Sequence, residues 1–417
     1  MNKNYYIIKE CRVCNGRSFY DFLNLGVIPL PNEFIHKEEL QKKEAKFPLR
    51  VTYCTNCSLV QLKDIVDPEV MFKNYLYIPS ASKTRLSHFK NIAEDTKKRF
   101  GLKTSSLVVD IGSNDGSLLN CYKNIIGVNV VGIDPAENLV KVAELNGIPT
   151  ILGYIDKKTA SKVIKIYGKA DLVLATNVIA HISDLHSMMR SVSLLLKEDG
   201  VFIMQFPYLL DLIAKNQFDT IYHEHLSYFC LRPLMLLAEK TDMEIFDIER
   251  NDLDGGSIRV FWKQKVSRLN KIEEIKLLNF LQQEELAGLY NQKTYEDFYK
   301  RILVLKKDLV RYLKKLKNKK KHIVGYGAAA KGNILLNYFG IGTETLDYLV
   351  DSTPYKQGLY SPGTHIPIYE ENRIYDTSPD YLLLLAWNFK DEIIAKNKAF
   401  KRLGGHFIIP NPKIEII

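Results

Sequence analysis

Short apolar runs alternate with helix-like segments along most of the chain, and this alternation fixes the predicted elements. The runs at 106–111, 128–133, 171–175 and 200–207 each precede a turn and a helical pattern. Strands that alternate with helices in this way predict a parallel, doubly wound sheet. A further helix is predicted at about 71–105, before the first of these strands.

The same pattern recurs on a smaller scale after a polar, helix-rich connector at about 271–318. Its strands are predicted at 322–327, 348–351, 381–387 and 406–409. The sequence therefore predicts an α/β protein of three parts, which are an N-terminal module at 1–70, a central Rossmann-like domain at 71–290 and a second, smaller Rossmann-like α/β domain at 291–417.

Composition narrows the class of protein. The 417 residues are 46% apolar and 25% charged, a globular profile, and they include neither an apolar run long enough to span a membrane nor a signal peptide. We therefore expect a cytoplasmic protein.

The net charge of +10 lies partly in the run 306–321, which predicts a solvated helix face. No nucleic-acid partner is expected, whereas a basic surplus suits phosphorylated substrates.

Four of the six cysteines form two C-x-x-C pairs in the N-terminal module. Two such pairs can converge on one zinc ion in a tetrahedral arrangement. Four thiolates leave no open coordination position, so the zinc is expected to be structural. Disulfides and a redox C-x-x-C are the alternatives. The predicted ligands are Cys11, Cys14, Cys54 and Cys57.

The first strand of the central domain ends in an acid and a glycine turn, VVDIGSNDG. The turn lacks the G-x-G-x-x-G that cradles the pyrophosphate of a dinucleotide, and it suits S-adenosylmethionine (SAM), which has no phosphate groups. Asp110 or Asp115 could hold the amino group of SAM, Gly112 would allow close backbone approach, and Asp134 could bind the ribose hydroxyls. An ordinary β–α turn and a nicotinamide site are the alternatives. The predicted SAM contacts are Asp110, Gly112, Ser113, Asp115, Gly116, Asp134 and Asn177.

Titratable residues follow the third and fourth strands, where an open α/β sheet binds its ligands. Asn177 and His181 follow the third strand, and the run Tyr222-His-Glu-His225 is the densest titratable cluster of the chain. A histidine beside a carboxylate suits a general base. The alternatives are a metal site, for which the i, i+2 histidine spacing is wrong, and ordinary interior hydrogen bonds.

The second α/β unit opens with GYGAAAKG, a strand, a turn of small residues and a helix. Free N–H groups at the start of that helix favour an anion, and we expect a nucleotide diphosphate there. A dinucleotide site is the alternative. The predicted substrate contacts are Lys331, Gly325, Tyr326, Asp351, Lys356 and His365.

Together these motifs resemble the sugar C-methyltransferases that act on nucleotide-linked 4-keto-deoxysugars. The resemblance covers nearly the whole chain and rests on the two C-x-x-C pairs, VVDIGSNDGSLL, NVIAHISD, YHEHLSYF and GYGAAAKGN…VDSTPYKQGLYSPGTHIPI. It implies SAM, a structural zinc and methylation of C3 of a thymidine diphosphate-linked 4-keto-6-deoxysugar through an enolate. A monomer is expected.

The resemblance also implies roles for individual residues. His225 would be the base, Tyr222 and His181 would hold the ketone or enolate oxygen, and Glu224 would orient a histidine or bind the sugar. A tyrosine from the pair Tyr75 and Tyr77 would join them.

Two positions depart from the family pattern, because Asp254 and Gln205 stand where such enzymes often carry a histidine and an acid. Two rival functions remain, a non-catalytic SAM-binding scaffold and a nicotinamide-dependent sugar oxidoreductase.

Overall fold

Two Rossmann-like units follow a small antiparallel sheet in the structure, a computed structural model. It describes residues 4–72, 78–269 and 274–417. Among the described residues, no helix is both long and apolar enough to cross a bilayer.

The N-terminal module is built from antiparallel strands, β1 (Tyr5–Ile7), β2 (Phe19–Pro29), β3 (Lys46–Cys54), β4 (Val60–Leu62) and β5 (Asp64–Val66), followed by helices α1 (Pro68–Phe72) and α2 (Lys83–Phe100). Strand β1 pairs with β5, and β2, β3 and β4 form a sheet. The fourth strand of that sheet, β11 (Ser227–Tyr228), comes from the central domain and pairs with β4. The sheet of the N-terminal module is thus completed by a strand of the central domain.

The central domain forms a seven-stranded sheet in the order β12-β13-β10-β9-β6-β7-β8. Its strands are β6 (Leu107–Ile111), β7 (Asn129–Asp134), β8 (Thr150–Leu152), β9 (Ala170–Thr176), β10 (Leu196–Pro207), β12 (Met243–Asn251) and β13 (Ser257–Gln264). Its helices are α3 (Ser117–Cys121), α4 (Glu137–Leu145), α5 (Lys157–Tyr167), α6 (Leu185–Leu195), α7 (Leu209–Ala214) and α8 (Leu231–Glu239). Helices cover both faces of the sheet, and the side chains on its two faces belong to two separate hydrophobic clusters.

The four predicted strands of this sheet pair in parallel, as expected, and the sheet also has an antiparallel edge that the strand–helix alternation does not predict. Strand β13 runs antiparallel to β10, and β12 runs antiparallel to β13. The link between β12 and β13 is a short turn at 252–256, and so few residues cannot form the crossover that a parallel pair needs.

The C-terminal unit repeats the plan with a six-stranded sheet in the order β16-β15-β14-β17-β18-β19. Its strands are β14 (Ile323–Tyr326), β15 (Leu349–Val350), β16 (Ile368–Tyr369), β17 (Tyr381–Leu384), β18 (His406–Ile409) and β19 (Glu415–Ile416). Its helices are α11 (Ala330–Phe339), α12 (Arg373–Thr377), α13 (Lys390–Lys396) and α14 (Lys398–Arg402). All pairings are parallel except that of β18 with β19.

Two helices, α9 (Glu274–Leu286) and α10 (Gln292–Asn318), connect the α/β units, as the polar, helix-rich pattern predicts. Most of the basic run lies in the second half of α10, and its last three residues follow the helix. Leu309, Leu313 and Leu316 are buried there, whereas Lys314 and Lys315 are exposed. The run is therefore the solvated face of an amphipathic helix, as expected.

Candidate active site and zinc centre

The four predicted zinc ligands lie together. The sulfur atoms of Cys11, Cys14, Cys54 and Cys57 are all within 4.8 Å of one another, and none forms a disulfide. Hydrogen bonds with the neighbouring thiols, and then burial, raise the pKa of Cys57. Four thiolates can share one site only when a cation balances their charge. The four sulfur atoms therefore fit a tetrahedral zinc ion.

The turns that follow the two cysteine pairs have the same backbone geometry. Asn15 and Ser58 each take a left-handed conformation, with φ of 61° and 67°. The backbone N–H of Gly16 donates to the sulfur of Cys14 at 3.3 Å. A tight turn of small residues thus follows each cysteine pair, and the first of these turns binds a ligand sulfur.

Arg12 lies inside the first cysteine pair and connects the zinc centre to the segment that carries the titratable residues 222–225. Its Nη1 donates to the carbonyl oxygens of Leu62 at 3.3 Å and of Leu226 at 3.1 Å. The N–H of Leu226 donates to the carbonyl of Ala180 at 2.6 Å. Leu226 follows His225 and Ala180 precedes His181, so the zinc centre supports the backbone that carries both histidines.

The glycine loop after β6 is closely packed. Gly112 has φ of +66°, and a Cβ there would lie 2.5 Å from the side chain of Val178. The glycine is therefore required by Val178 and by its backbone conformation, and not only by a ligand. Asp115 accepts from the N–H and hydroxyl of Ser117 at the start of α3, and Gly116 (φ +77°) precedes that helix.

Asp134 ties together the loops that follow β6 and β7. Its two oxygens accept the backbone N–H groups of Asn114 at 2.9 Å and Ala136 at 2.8 Å. Burial, and then the charge of Asp134, raises the pKa of neighbouring Asp110 well above its usual range.

Three buried acceptors in this region have no hydrogen-bond partner in the part of the chain that the structure describes. They are Asp110 Oδ1, Ser113 Oγ and Asn177 Oδ1. Buried polar atoms are normally satisfied, so unpaired acceptors indicate a ligand that donates hydrogen bonds. The ammonium and hydroxyl groups of SAM are such donors, and the region fits that cofactor.

The titratable cluster forms at the carboxyl end of the sheet. The ring of His225 lies 3.9 Å from that of Tyr222 and 4.9 Å from that of His181, centroid to centroid. His225 Nδ1 is 2.9 Å from the carbonyl oxygen of Thr220. A carbonyl can only accept, so Nδ1 carries the proton and Nε2 carries the lone pair.

Burial keeps both histidines of this cluster neutral. It lowers the pKa of His225 to about 4 and that of His181 well below its usual range. Both side chains are only part-buried by surface area, so they remain open to a ligand. A neutral imidazole with a free Nε2 lone pair can accept a proton at physiological pH.

An ion pair that sequence reasoning missed borders the cluster. Arg85 of α2 donates through two nitrogens to both oxygens of Asp254, at 2.7 and 3.2 Å. Asn177 Nδ2 donates to the same carboxylate at 2.8 Å. Burial would raise the pKa of Asp254, but the charges of Arg85 and Lys331 outweigh it and lower that pKa. The second departing residue, Gln205, bonds His88 and Arg259.

The C-terminal unit contributes Lys331 to the cluster. Its ammonium lies 5.0 Å from the ring centroid of Trp387, and its charge acts on His225, Asp254 and Asp219. Burial lowers the pKa of Lys331, since the charged form is desolvated there. The predicted substrate contact Lys331 thus lies among the predicted catalytic residues.

Other predicted C-terminal contacts are occupied by the protein itself. A Cβ at Gly325 would lie 2.4 Å from the side chain of Leu349, so this glycine serves sheet packing. Tyr326 is buried and donates its hydroxyl to Glu371. Both residues therefore have a packing role in the core, and a strand of small and aromatic residues has the same sequence pattern whether it packs or binds a ligand.

The remaining predicted contacts line the loops of the same unit. Asp351 accepts from the N–H groups of Ala328 at 2.7 Å and Thr353 at 2.8 Å. Lys356 Nζ donates to the carbonyl of Ala328 at 3.0 Å. His365 bonds Glu44 of the N-terminal module at 2.6 Å, which makes it an interdomain contact.

Glu224 and His223 face the N-terminal module. Glu224 is buried and accepts from Asn32 Nδ2 at 2.6 Å, while His223 Nε2 donates to the carbonyl of Phe47 at 3.3 Å. The other two predicted catalytic residues, Tyr75 and Tyr77, lie outside the described residues.

Comparisons with known proteins agree with this arrangement. Family models match residues 11–72 as a zinc binding domain, 86–247 as a methyltransferase domain and 252–412 as a C-methyltransferase C-terminal domain. C-methyltransferase NovU of Streptomyces niveus is 35% identical over 98% of this chain and 97% of its own length. The chain belongs to the C-methyltransferase family.

More distant likenesses cover only part of this C-methyltransferase. Ubiquinone biosynthesis O-methyltransferase of Pelagibacter ubique is 32% identical over 33% of this chain and 57% of its own length. The magnesium protoporphyrin IX methyltransferase of Synechocystis PCC 6803, solved with S-adenosylhomocysteine (SAH), is 15% identical over 43% of this chain and 83% of its own, with a TM-score of 0.34.

The C-methyltransferase uses SAM as methyl donor and carries a zinc-binding N-terminal cysteine cluster.

We expect Asp110→Asn to weaken SAH binding at least tenfold, because a charge-assisted hydrogen bond contributes about 1.5–3 kcal/mol. The melting temperature should equal or exceed that of the wild type, since a buried, unpaired acid is removed. Calorimetric SAH titration and thermal unfolding test this. Unchanged SAH affinity would remove Asp110 from the cofactor site.

His223 should make the C-methyltransferase acid-labile. Burial lowers its folded pKa to about 4, below the unfolded value of about 6.5. Below pH 6.5 the unfolded chain binds the proton first, so the free energy of unfolding falls, by about 2 kcal/mol at pH 5. His223→Gln should show a correspondingly smaller loss between pH 7 and pH 5 in denaturant unfolding. Parallel losses in the two proteins would contradict this account.

Proposed function

We propose that this C-methyltransferase methylates C3 of a nucleotide diphosphate-linked 4-keto-6-deoxysugar, with thymidine diphosphate as the carrier, in branched deoxysugar biosynthesis. One observation carries the proposal. His225 is neutral, holds its proton on Nδ1 against Thr220 and stands beside His181, Tyr222 and the cation of Lys331. A base beside hydrogen-bonding groups and a cation is suited to forming an enolate.

Each of these residues has a proposed part in the reaction. A ketone at C4 acidifies the C3 proton, and His225 Nε2 accepts that proton while the electron pair of the C3–H bond delocalises onto the ketone oxygen. Tyr222 and His181 hold that oxygen as its charge grows, which is the electrostatic part of catalysis. Glu224, buried against Asn32, fixes the segment or binds the sugar.

The cofactor would be held on the other side of the reacting carbon. Asp110, Ser113 and Asn177 offer the unpaired acceptors, and Asp134 shapes the loops around them. SAM, when bound, supplies the methyl group and leaves as SAH. Gly112 and Gly116 set the loop conformation, and Asp115 caps the helix that follows.

The nucleotide would bind the C-terminal unit. Asp351 and Asp134 hold their loops in the same way, each accepting one N–H from the loop after the preceding strand and one from two residues onward. This repeated geometry supports a second nucleoside site, with Lys331 and Lys356 as its cations. The domain limits 1–70, 71–290 and 291–417, the roles of Tyr75 and Tyr77, the monomeric state and the cytoplasmic location stay predictions.

The test is turnover of purified protein with SAM and a thymidine diphosphate-linked 4-keto-6-deoxysugar. We expect a product with one added methyl group at C3, and exchange of the C3 proton with deuterated solvent when SAH replaces SAM. SAH binding without turnover or exchange for any such sugar would favour the non-catalytic scaffold. Binding of NADH without binding of SAH would favour the oxidoreductase.

A further inference from the structure

A three-residue helical turn, Phe218–Thr220, joins the C-terminal unit to the titratable cluster. All three residues are buried, and each contacts a different partner. The ring of Phe218 stacks on that of Phe339 in α11, with centroids 5.1 Å apart and planes at 15°. The turn belongs to the central domain by sequence, yet much of its packing comes from the C-terminal unit.

Asp219 is the polar anchor of this turn. Its Oδ2 accepts from Trp387 Nε1 at 2.6 Å and its Oδ1 accepts from Asn411 Nδ2 at 3.1 Å. Both donors lie in the C-terminal unit, and the ammonium of Lys331 lies over the Trp387 ring. Both oxygens of one fully buried carboxylate are therefore held by a different domain.

Thr220, the next residue, holds the histidine. Its carbonyl oxygen accepts from His225 Nδ1 at 2.9 Å. The orientation of that carbonyl depends on the conformation of the turn, because the backbone of Thr220 continues directly from the anchored Asp219. The hydrogen bond fixes which nitrogen of His225 carries the proton.

We propose that Asp219 is a positioning residue, which locks the turn onto the C-terminal unit so that the Thr220 carbonyl keeps the proton of His225 on Nδ1 and presents Nε2 to the substrate. This rests on the proposed function only in assigning His225 as the base. Docking of the C-terminal unit is then a condition for an active base, and not only for nucleotide binding.

The surroundings of Asp219 both oppose and stabilise its charged form. Burial raises the pKa of Asp219 to about 6, and the charge of Lys331 and the Trp387 hydrogen bond act against that rise. The groups that face His225 are His181, Tyr222 and Tyr228 by ring contact and Lys331 and Asp254 by charge. None of these five residues bonds Nδ1 in the described structure, so Thr220 alone selects the tautomer there.

The experiment reads the tautomer directly. Long-range ¹H–¹⁵N spectra of the full-length zinc- and SAH-bound protein distinguish protonated from unprotonated ring nitrogens, and His225→Asn identifies the signal among the nine histidines. We expect Nδ1–H in the wild type and a mixture of tautomers in Asp219→Ala. In the turnover assay kcat should fall about 10²-fold, as expected for a displaced catalytic group. SAH affinity should change less than twofold.

Two further variants are a weaker version of the same test and its control. Trp387→Phe removes one hydrogen bond to Asp219 and keeps a ring, so it should shift the tautomer and kcat in the same direction but less. It carries the test if Asp219→Ala does not fold. Asp347→Asn is the matched control, because Asp347 bonds Lys317 and His322 elsewhere in the C-terminal unit, and it should behave as the wild type.

The outcomes separate this inference from the proposed function. A folded Asp219→Ala with wild-type kcat and an intact Nδ1–H signal would overturn the role of Asp219 while leaving His225 as base. If the wild-type protein turns over no 4-keto sugar but the tautomer of His225 still shifts in Asp219→Ala, the positioning role of Asp219 would be supported and the proposed reaction would be overturned.

Discussion

Replacing His225 by asparagine is expected to lower kcat about 10³-fold, within the range that a positioned general base contributes. The amide nitrogen of asparagine can take the place of Nδ1 and still donate to the Thr220 carbonyl, but nothing replaces Nε2. The variant therefore removes the proton acceptor and keeps the hydrogen bond that supports the loop. Turnover of the 4-keto sugar and deuterium exchange at C3 should both be lost.

The same variant should bind SAH with unchanged affinity, because the unpaired acceptors assigned to the cofactor are Asp110, Ser113 and Asn177. His406→Asn is the matched control, since His406 is exposed at the start of β18 and its ring stacks on that of Tyr381. A folded His225→Asn that keeps the wild-type rate would require another base. Loss of C3 exchange together with loss of SAH binding would instead indicate a collapsed site.

Cys54→Ser is expected to release the zinc and unfold the N-terminal module. Structural zinc contributes on the order of 10 kcal/mol to the folding of small metal sites, so loss of one ligand exceeds what the module's own core can offset. The damage should reach the active site. Arg12 holds the carbonyl of Leu226 from inside the first cysteine pair, and Leu226 lies directly after His225. Turnover should fall together with zinc content.

Metal analysis, thermal unfolding and the turnover assay follow these effects. Cys121→Ser is the control, because Cys121 is part-buried at the end of α3 and lies outside the cysteine cluster. It should keep one zinc per chain and normal turnover. A wild-type protein that is folded without zinc, or a Cys54→Ser variant that keeps its zinc and its melting temperature, would contradict the assignment.

Local patterns in the sequence were enough to predict much of the fold. The strand before Gly112, the strand that ends at Asp134 and the C-terminal strand before Gly327 are all where the apolar runs place them. The four cysteines could be grouped because a metal site needs their residue type and spacing. Period and spacing are properties of neighbouring residues, so one chain reveals them.

The residues that were missed act across long stretches of chain. Arg85 meets Asp254, and Asp219 meets Trp387 and Asn411. Neither partner leaves a trace in the local pattern of the other, and an arginine in a helix usually faces solvent.

Two of the predicted substrate contacts, Gly325 and His365, show the converse problem, because the structure gives each of them a partner within the protein. Gly325 precedes a turn of small residues that suits an anion, yet Leu349 fills the space beside it. His365 occupies a polar loop that suits a ligand, yet Glu44 binds it. Whether a small or polar side chain faces a ligand or another part of the protein depends on tertiary packing, which the sequence does not state.

The pairing of β11 with β4 constrains synthesis of the chain. During translation the first three strands of the N-terminal sheet emerge from the ribosome long before Ser227–Tyr228, so the outer side of β4 has no neighbour for most of that time. Unpaired strand edges recruit other chains. A nascent or truncated polypeptide that stops short of Ser227 therefore exposes an aggregation-prone edge that the complete enzyme covers.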